Sequence, residues 1–176
     1  MERSSTVIEK WNERYRQGHD DLQIPLSFFV DAASRLTPGR ALDIACGLGR
    51  HSIWLVERGW NVTAIDGSDV AIASLREREP RVDARVSDIE APDFQIPGAA
   101  YDLVVDTFFY HRPLFPQIWD ALLPDGLAVA AFHLSGTFAI PADAINQLVA
   151  DHEVLHYVKH TEVPTIELVL RKSPKS

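Results

Sequence analysis

The feature that most restricts how this chain can fold is a set of five short apolar runs: "RALDIA" (40–45), "WNVTAID" (60–66), "RVDARVSDI" (81–89), "YDLVVDTFF" (101–109) and "LAVAAFHL" (127–134). Three helical patterns ("GRHSIWLVERG", "SDVAIASLRERE", "PLFPQIWDALLPDG") and one acidic loop ("EAPDFQIPGAA") stand between them. Within the runs, apolar residues mostly follow one another instead of alternating with polar ones, the pattern of strands buried on both faces. Such strands, joined through helices, make a parallel sheet between two helical layers. Gly59 closes the first helix pattern, and Ser68 caps the second, whose apolar side carries Val70, Ile72 and Leu75.

The two ends differ from the middle. "SSTVIEKWNERYRQG" (4–18) reads as a helix with Ser or Thr at its N-cap, Glu9 three residues after Thr6 and Gly18 as its stop. "PLSFFVDAASRLTPG" (25–39) reads as a second helix with Pro25 in its first turn and Phe28 and Phe29 in the core. After a last helix, "PADAINQLVADH", the runs "EVLHYVKHTE" and "TIELVLRK" are separated by too few residues for a parallel crossover, so they must pair antiparallel. The expected fold class is α/β: a Rossmann-like doubly wound sheet of five parallel strands plus a C-terminal antiparallel hairpin, in a three-layer α/β/α arrangement. The length suits one domain over 1–176, with 1–39 a helical cap or lid and 40–176 the core.

Composition narrows the function. Acidic residues outnumber basic ones by 25 to 17, giving a net charge of −8, and no basic stripe is present, which argues against nucleic acid as a partner. No apolar run approaches the ~18 residues of a membrane span, and "MERSSTVIEKW" has no signal-peptide core. The one cysteine, Cys46, cannot form an intrachain bridge and reads as a packing thiol, which fits a reducing, cytoplasmic setting. His152, His156 and His160 recur every four residues, but in a strand they share a face without a carboxylate or cysteine partner, so no metal site is expected.

The turn "ALDIACGLGRHS" (41–52) joins the first strand to a helix through Gly47 and Gly49, and small residues there allow a ligand close to the backbone. A phosphate-binding loop would need Gly-Lys-Ser/Thr, which is missing. A dinucleotide fingerprint is half met: Ser52 stands where the third glycine belongs, and Asp66 follows Gly47 by 19 residues. The terminal hairpin and the short chain count against that reading.

Asp43, Gly47, Gly49, the strand-end Asp66 and "SDIE" after the third strand together resemble the class I S-adenosylmethionine-dependent methyltransferases. The resemblance runs from about Trp11 to Arg171, includes the hairpin, and through "WNERYRQG" and "LDIACGLGRHSIWLVERGWNVTAID" is similar to the small tellurite-resistance and thiopurine methyltransferase-type enzymes. Ala45 stands where that family more often has glycine. The resemblance implies S-adenosylmethionine as cofactor. Gly47 and Gly49 would form its floor, Asp43 would meet its ammonium end, and Asp66 would accept from the ribose hydroxyls. Asp88 and Ile89 would hold the adenine, and Ala45, Gly67, Ser68 and Asp106 would complete the set. Trp11 and Tyr15, an i, i+4 pair, would form an aromatic lid over the sulfonium.

The acceptor is expected at the ends of the fourth and fifth strands. "VVDTFFYHR" lacks the Asn/Asp-Pro-Pro-Tyr/Phe signature that resembles amino-group methyltransferases of nucleic acids and proteins, which points to a small-molecule acceptor. Tyr110 and His111 are the catalytic candidates, with His133 a further imidazole; a thiolate or chalcogenide anion would need no base. The alternatives are a non-catalytic S-adenosylmethionine-binding protein and an NAD-dependent oxidoreductase. Either a monomer or a homodimer is compatible with these readings.

Overall fold

The computed structural model describes residues 2–18, 24–97, 101–136 and 138–172. Its seven strands are β1 (Arg40–Ile44), β2 (Asn61–Asp66), β3 (Asp83–Val86), β4 (Tyr101–Thr107), β5 (Leu122–His133), β6 (Glu153–His160) and β7 (Thr165–Arg171). They form one sheet in the order β3-β2-β1-β4-β5-β7-β6, with β1 to β5 parallel and β7 antiparallel to both its neighbours. Six helices accompany them: α1 (Glu2–Arg16), α2 (Ser27–Ala33), α3 (Arg50–Val56), α4 (Asp69–Arg78), α5 (Leu114–Ala121) and α6 (Ala142–Asp151).

Burial follows from the apolar runs. One cluster joins Phe28 and Phe29 of α2, Leu55 of α3, and Ile72 and Leu75 of α4 to Val62, Ala64 and Val105 of the sheet. On the opposite face Leu114 and Ile118 of α5 meet Leu42, Ile44, Ile65 and Val104. A third cluster seats Ile145 and Leu148 of α6 on Phe132, Ile166 and Leu168. The order reverses between β1 and β4, opening a crevice at the carboxyl ends of these strands.

Several expectations need correction. Helix α1 begins at Glu2, so Ser4, Ser5 and Thr6 lie within it and none is its N-cap. Pro25 precedes the N-cap Leu26 of α2 instead of entering its first turn. Strand β3 is a short strand at the edge of the sheet, with three of its four residues exposed. Strand β5 starts at Leu122, inside the stretch read as helix and turn: Tyr101 pairs with Leu122 but Leu103 with Leu127, a bulge in which Asp125 takes φ +64°. His156 and His160 do have a carboxylate neighbour, Glu167 of β7, at 3.1 and 3.0 Å. His152 instead precedes β6, with its ring 3.5 Å from that of Trp119. No helix among the described residues is long and apolar enough to cross a membrane.

Candidate functional site

The crevice floor is the β1–α3 turn, where Ala45, Gly47 and Gly49 all take positive φ, +51°, +53° and +80°. The Gly47 N–H donates to Asp66 Oδ2 at 2.8 Å, and the Ser68 N–H donates to Asp66 Oδ1 at 2.8 Å. These two bonds fix the carboxylate at the end of β2 and oppose the burial that pushes its pKa up. Each Asp66 oxygen keeps a lone pair for a ligand donor. Gly49 has another task. A Cβ there would lie 2.4 Å from Leu75 Cδ1, so its lack of a side chain lets α3 and α4 pack. It does not line the crevice, whereas Ala45, Gly47, Asp66, Gly67 and Ser68 do.

The crevice has a volume of about 420 Å³, within the range of small-molecule sites. Asp88 and Ile89 line it beyond β3, and the Glu90 N–H donates to Asp88 Oδ1 at 3.0 Å. Helix α1 closes one side with Val7, Ile8, Trp11, Arg14 and Tyr15. The Trp11 and Tyr15 rings stack at 5.9 Å, and the Arg14 guanidinium lies 5.1 Å from the Trp11 ring centroid, so the aromatic face already attracts a cation from its own helix.

Asn12, which the sequence reading passed over, docks this helix. Buried against the start of α4, it donates to Asp69 Oδ1 at 2.8 Å and accepts from Ser68 Oγ at 2.5 Å. Ser68 Oγ also accepts from the Ala71 N–H at 3.0 Å as the N-cap of α4. One hydroxyl therefore starts α4 and holds α1. Ile8 lies 3.1 Å from where a Gly67 Cβ would be, so the close approach of α1 requires that glycine.

Asp43 and Asp106 lie beneath the crevice and do not line it. Asp43, 1% exposed, accepts from Ser52 Oγ at 2.6 Å, the residue at the missing third-glycine position. Burial pushes its pKa up to about 7 despite the Ser52 bond and the field of Arg50. Asp106 is pushed well above the carboxylate range by burial and by Asp43. Cys46 is a buried thiol raised by the same desolvation. His51, also missed, lines the crevice from α3 and accepts the Leu26 N–H at 3.4 Å, with its ring 4.5 Å from Phe29. Burial and Arg50 hold its pKa down to about 3, so it is a neutral acceptor that ties the start of α2 to the floor. Its position on the first turn after the glycines was the available signal.

On the acceptor side the structure rearranges the candidates. Tyr110 packs its ring 5.8 Å from Phe115 and 6.2 Å from Phe132, and its hydroxyl accepts from Arg112 Nε at 3.2 Å. It does not line the crevice, nor does His111, whose Nδ1 sits 3.9 Å from Glu90 Oε1. Phe108, Phe109, His133, Phe138 and Glu90 line it instead. Phe108 takes φ +64°, which turns its ring to within 4.9 Å of His133.

A family model described as a methyltransferase domain matches residues 41–126. The Haemophilus influenzae protein named "Probable S-adenosyl-L-methionine-dependent methyltransferase TehB" is 35% identical over 96 residues, 51% of this chain and 32% of that protein. Trans-aconitate 2-methyltransferase of Variovorax paradoxus is 31% identical over 127 residues, 66% of this chain and 48% of that protein. The chain thus spans about a third to a half of the length of these relatives. The crystal structure of Haemophilus influenzae TehB matches with a TM-score of 0.73 at 24% identity, covering 92% of this chain and 67% of that one, a likeness of fold.

Proposed function

We propose that this chain, which a methyltransferase-domain model matches over residues 41–126, binds S-adenosylmethionine and transfers its methyl group to a small-molecule nucleophile. The observation that carries the reading is Asp66, a strand-end carboxylate fixed by the Gly47 and Ser68 N–H groups with lone pairs open to the crevice. Two ribose hydroxyls are the donors that such a carboxylate takes. Asp88 and Ile89 suit an adenine, and the Trp11 and Tyr15 rings, with the buried acids below, suit a cation.

When bound, S-adenosylmethionine supplies a methyl carbon that its sulfonium makes electrophilic. The protein's own contribution is alignment and exclusion of water, worth up to about 7–11 kcal/mol when the geometry is right. Helix α1 excludes solvent from one side, and Phe108, Phe109 and Phe138 make an apolar acceptor end. His133, against the Phe108 ring, takes the proton of an acceptor that arrives protonated; a thiolate or chalcogenide anion needs no such step. Tyr110 and His111 then act through the walls, Tyr110 by holding Arg112 and His111 by its place behind Glu90.

The test is a screen of thiol, chalcogenide, carboxylate and phenol acceptors with methyl-labelled cofactor. Labelled product with at least one class is expected, and His133→Ala should slow protonated acceptors far more than anionic ones. Tight S-adenosylhomocysteine binding without product from any class would make the protein a binding module instead.

A further inference from the structure

Asp106 is the least satisfied acid among the described residues. It is 3% exposed, and neither carboxylate oxygen has a hydrogen-bond partner there. A buried carboxylate without partners is costly to keep ionised. Its place makes the anomaly relevant. It pairs with Ile44 at the end of β1, and the residues that follow it, Thr107 to Phe109, line the crevice. Asp43, one residue before Ile44, is equally buried and accepts from the Ser52 hydroxyl.

The charged surroundings are few. Asp43 feels Arg50 from α3 and Asp66 from β2, and the Cys46 thiol lies on the turn between. His51 of α3 stays neutral, and β5 sets the uncharged Ala130 beside Asp106, whose one acting charge is that of Asp43. At the rim stand Arg14 of α1, Asp88, Glu90 with His111, and His133. No cation is therefore paired with Asp106, and its carboxyl repels that of Asp43.

We propose that Asp106 holds a proton in the ligand-free protein and gives it up to solvent when a cationic ligand settles over the ends of β1 and β4, so that the site reads the charge on the ligand's sulfur. The inference rests on the methyl-transfer reading. Before transfer the ligand carries a sulfonium, an ammonium and a carboxylate; afterwards the sulfur is a neutral thioether and one positive charge is gone. An ionised Asp106 stabilises the first species, whereas its carboxyl, once it regains a proton from solvent, suits the second. Asp106 thereby favours substrate over product.

Isothermal titration at pH 6, 6.75 and 7.5, each in two buffers of different ionisation enthalpy, counts the protons. S-adenosylmethionine and S-adenosylhomocysteine are compared on the wild type and on Asp106→Asn, a neutral isostere of the protonated acid. S-adenosylmethionine should release up to one proton more than S-adenosylhomocysteine. Its Kd should tighten by up to about tenfold per pH unit while that of the product moves by no more than about twofold. Asp106→Asn should shrink both differences. Equal proton release by the two ligands on the wild type, which needs no variant to fold, overturns the proposal, as does a difference that a folded Asp106→Asn leaves intact. If both ligands bind without that difference, only this inference falls; if neither binds, the methyl-transfer reading falls with it.

Discussion

Ala45 and Gly49 both take positive φ, +51° and +80°, but for different reasons. Ala45 lines the crevice, and its Cβ carries a left-handed cost of about 1–2 kcal/mol. Glycine relieves that strain and gives back about 0.4–1 kcal/mol through a freer unfolded chain. Ala45→Gly should therefore leave stability unchanged or raise it by about 1 kcal/mol, read as a Tm shift of about 2–4 °C. A clear fall in Tm would contradict the strained geometry. Gly49→Ala should be the reverse: φ is unsuitable and Leu75 lies 2.4 Å from the new Cβ, so a loss of about 2–4 kcal/mol is expected, partly restored by Leu75→Ala. The sequence offered two equivalent glycines; only packing against α4 separates the one that lines the crevice from the one that faces the core.

Asp43 tests burial at the same scale. Its folded pKa of about 7 lies above its unfolded value near 3.8, so the folded state binds more protons between them. Its share of stability is present at low pH and lost as pH rises towards 7. Asp43→Asn removes that loss. In urea unfolding, the stability of Asp43→Asn relative to wild type should climb by up to about 1.4 kcal/mol per pH unit between pH 4 and 7. A difference that stays flat would show that Asp43 ionises normally in the fold.

Among the elements, α1 is docked by a few specific contacts. It meets the core through Ile8 over Gly67 and through Asn12 on Ser68 and Asp69. Asn12→Ala should cost only about 1–2 kcal/mol globally but expose the α1 amides to hydrogen exchange and weaken ligand binding. Unchanged α1 protection would mean that the helix is held elsewhere. Ser68→Ala removes a cap as well as the tie to α1, so its global cost should be larger, about 2–3 kcal/mol. The aromatic pair on α1 was legible from i, i+4 spacing. Asn12 was not, because a single polar residue in an exposed-looking helix carries no periodic signal. The early start of β5 was hidden too, since "LLPDG" reads as a turn until the bulge at Asp125 lets it pair with Tyr101.

For the molecule as a whole, the sheet was legible because its central strands are apolar on both faces and the last connection is too short to cross over. The order β3-β2-β1-β4-β5-β7-β6 then puts the Gly47 turn, Asp66 and Asp88 at one crevice, as their spacing suggested. The acceptor wall was less legible. Tyr110 and His111 follow a strand end in sequence, but Phe108 in a left-handed conformation turns the chain so that His133 and Phe138 take the lining positions. The most direct measurement is a calorimetric titration with S-adenosylhomocysteine of wild type and of Asp66→Ala, the variant's fold being checked by circular dichroism. Saturable one-to-one binding is expected for the wild type, with at least about tenfold weaker binding for a still-folded Asp66→Ala. No binding, or binding indifferent to Asp66, would contradict the assignment of the crevice.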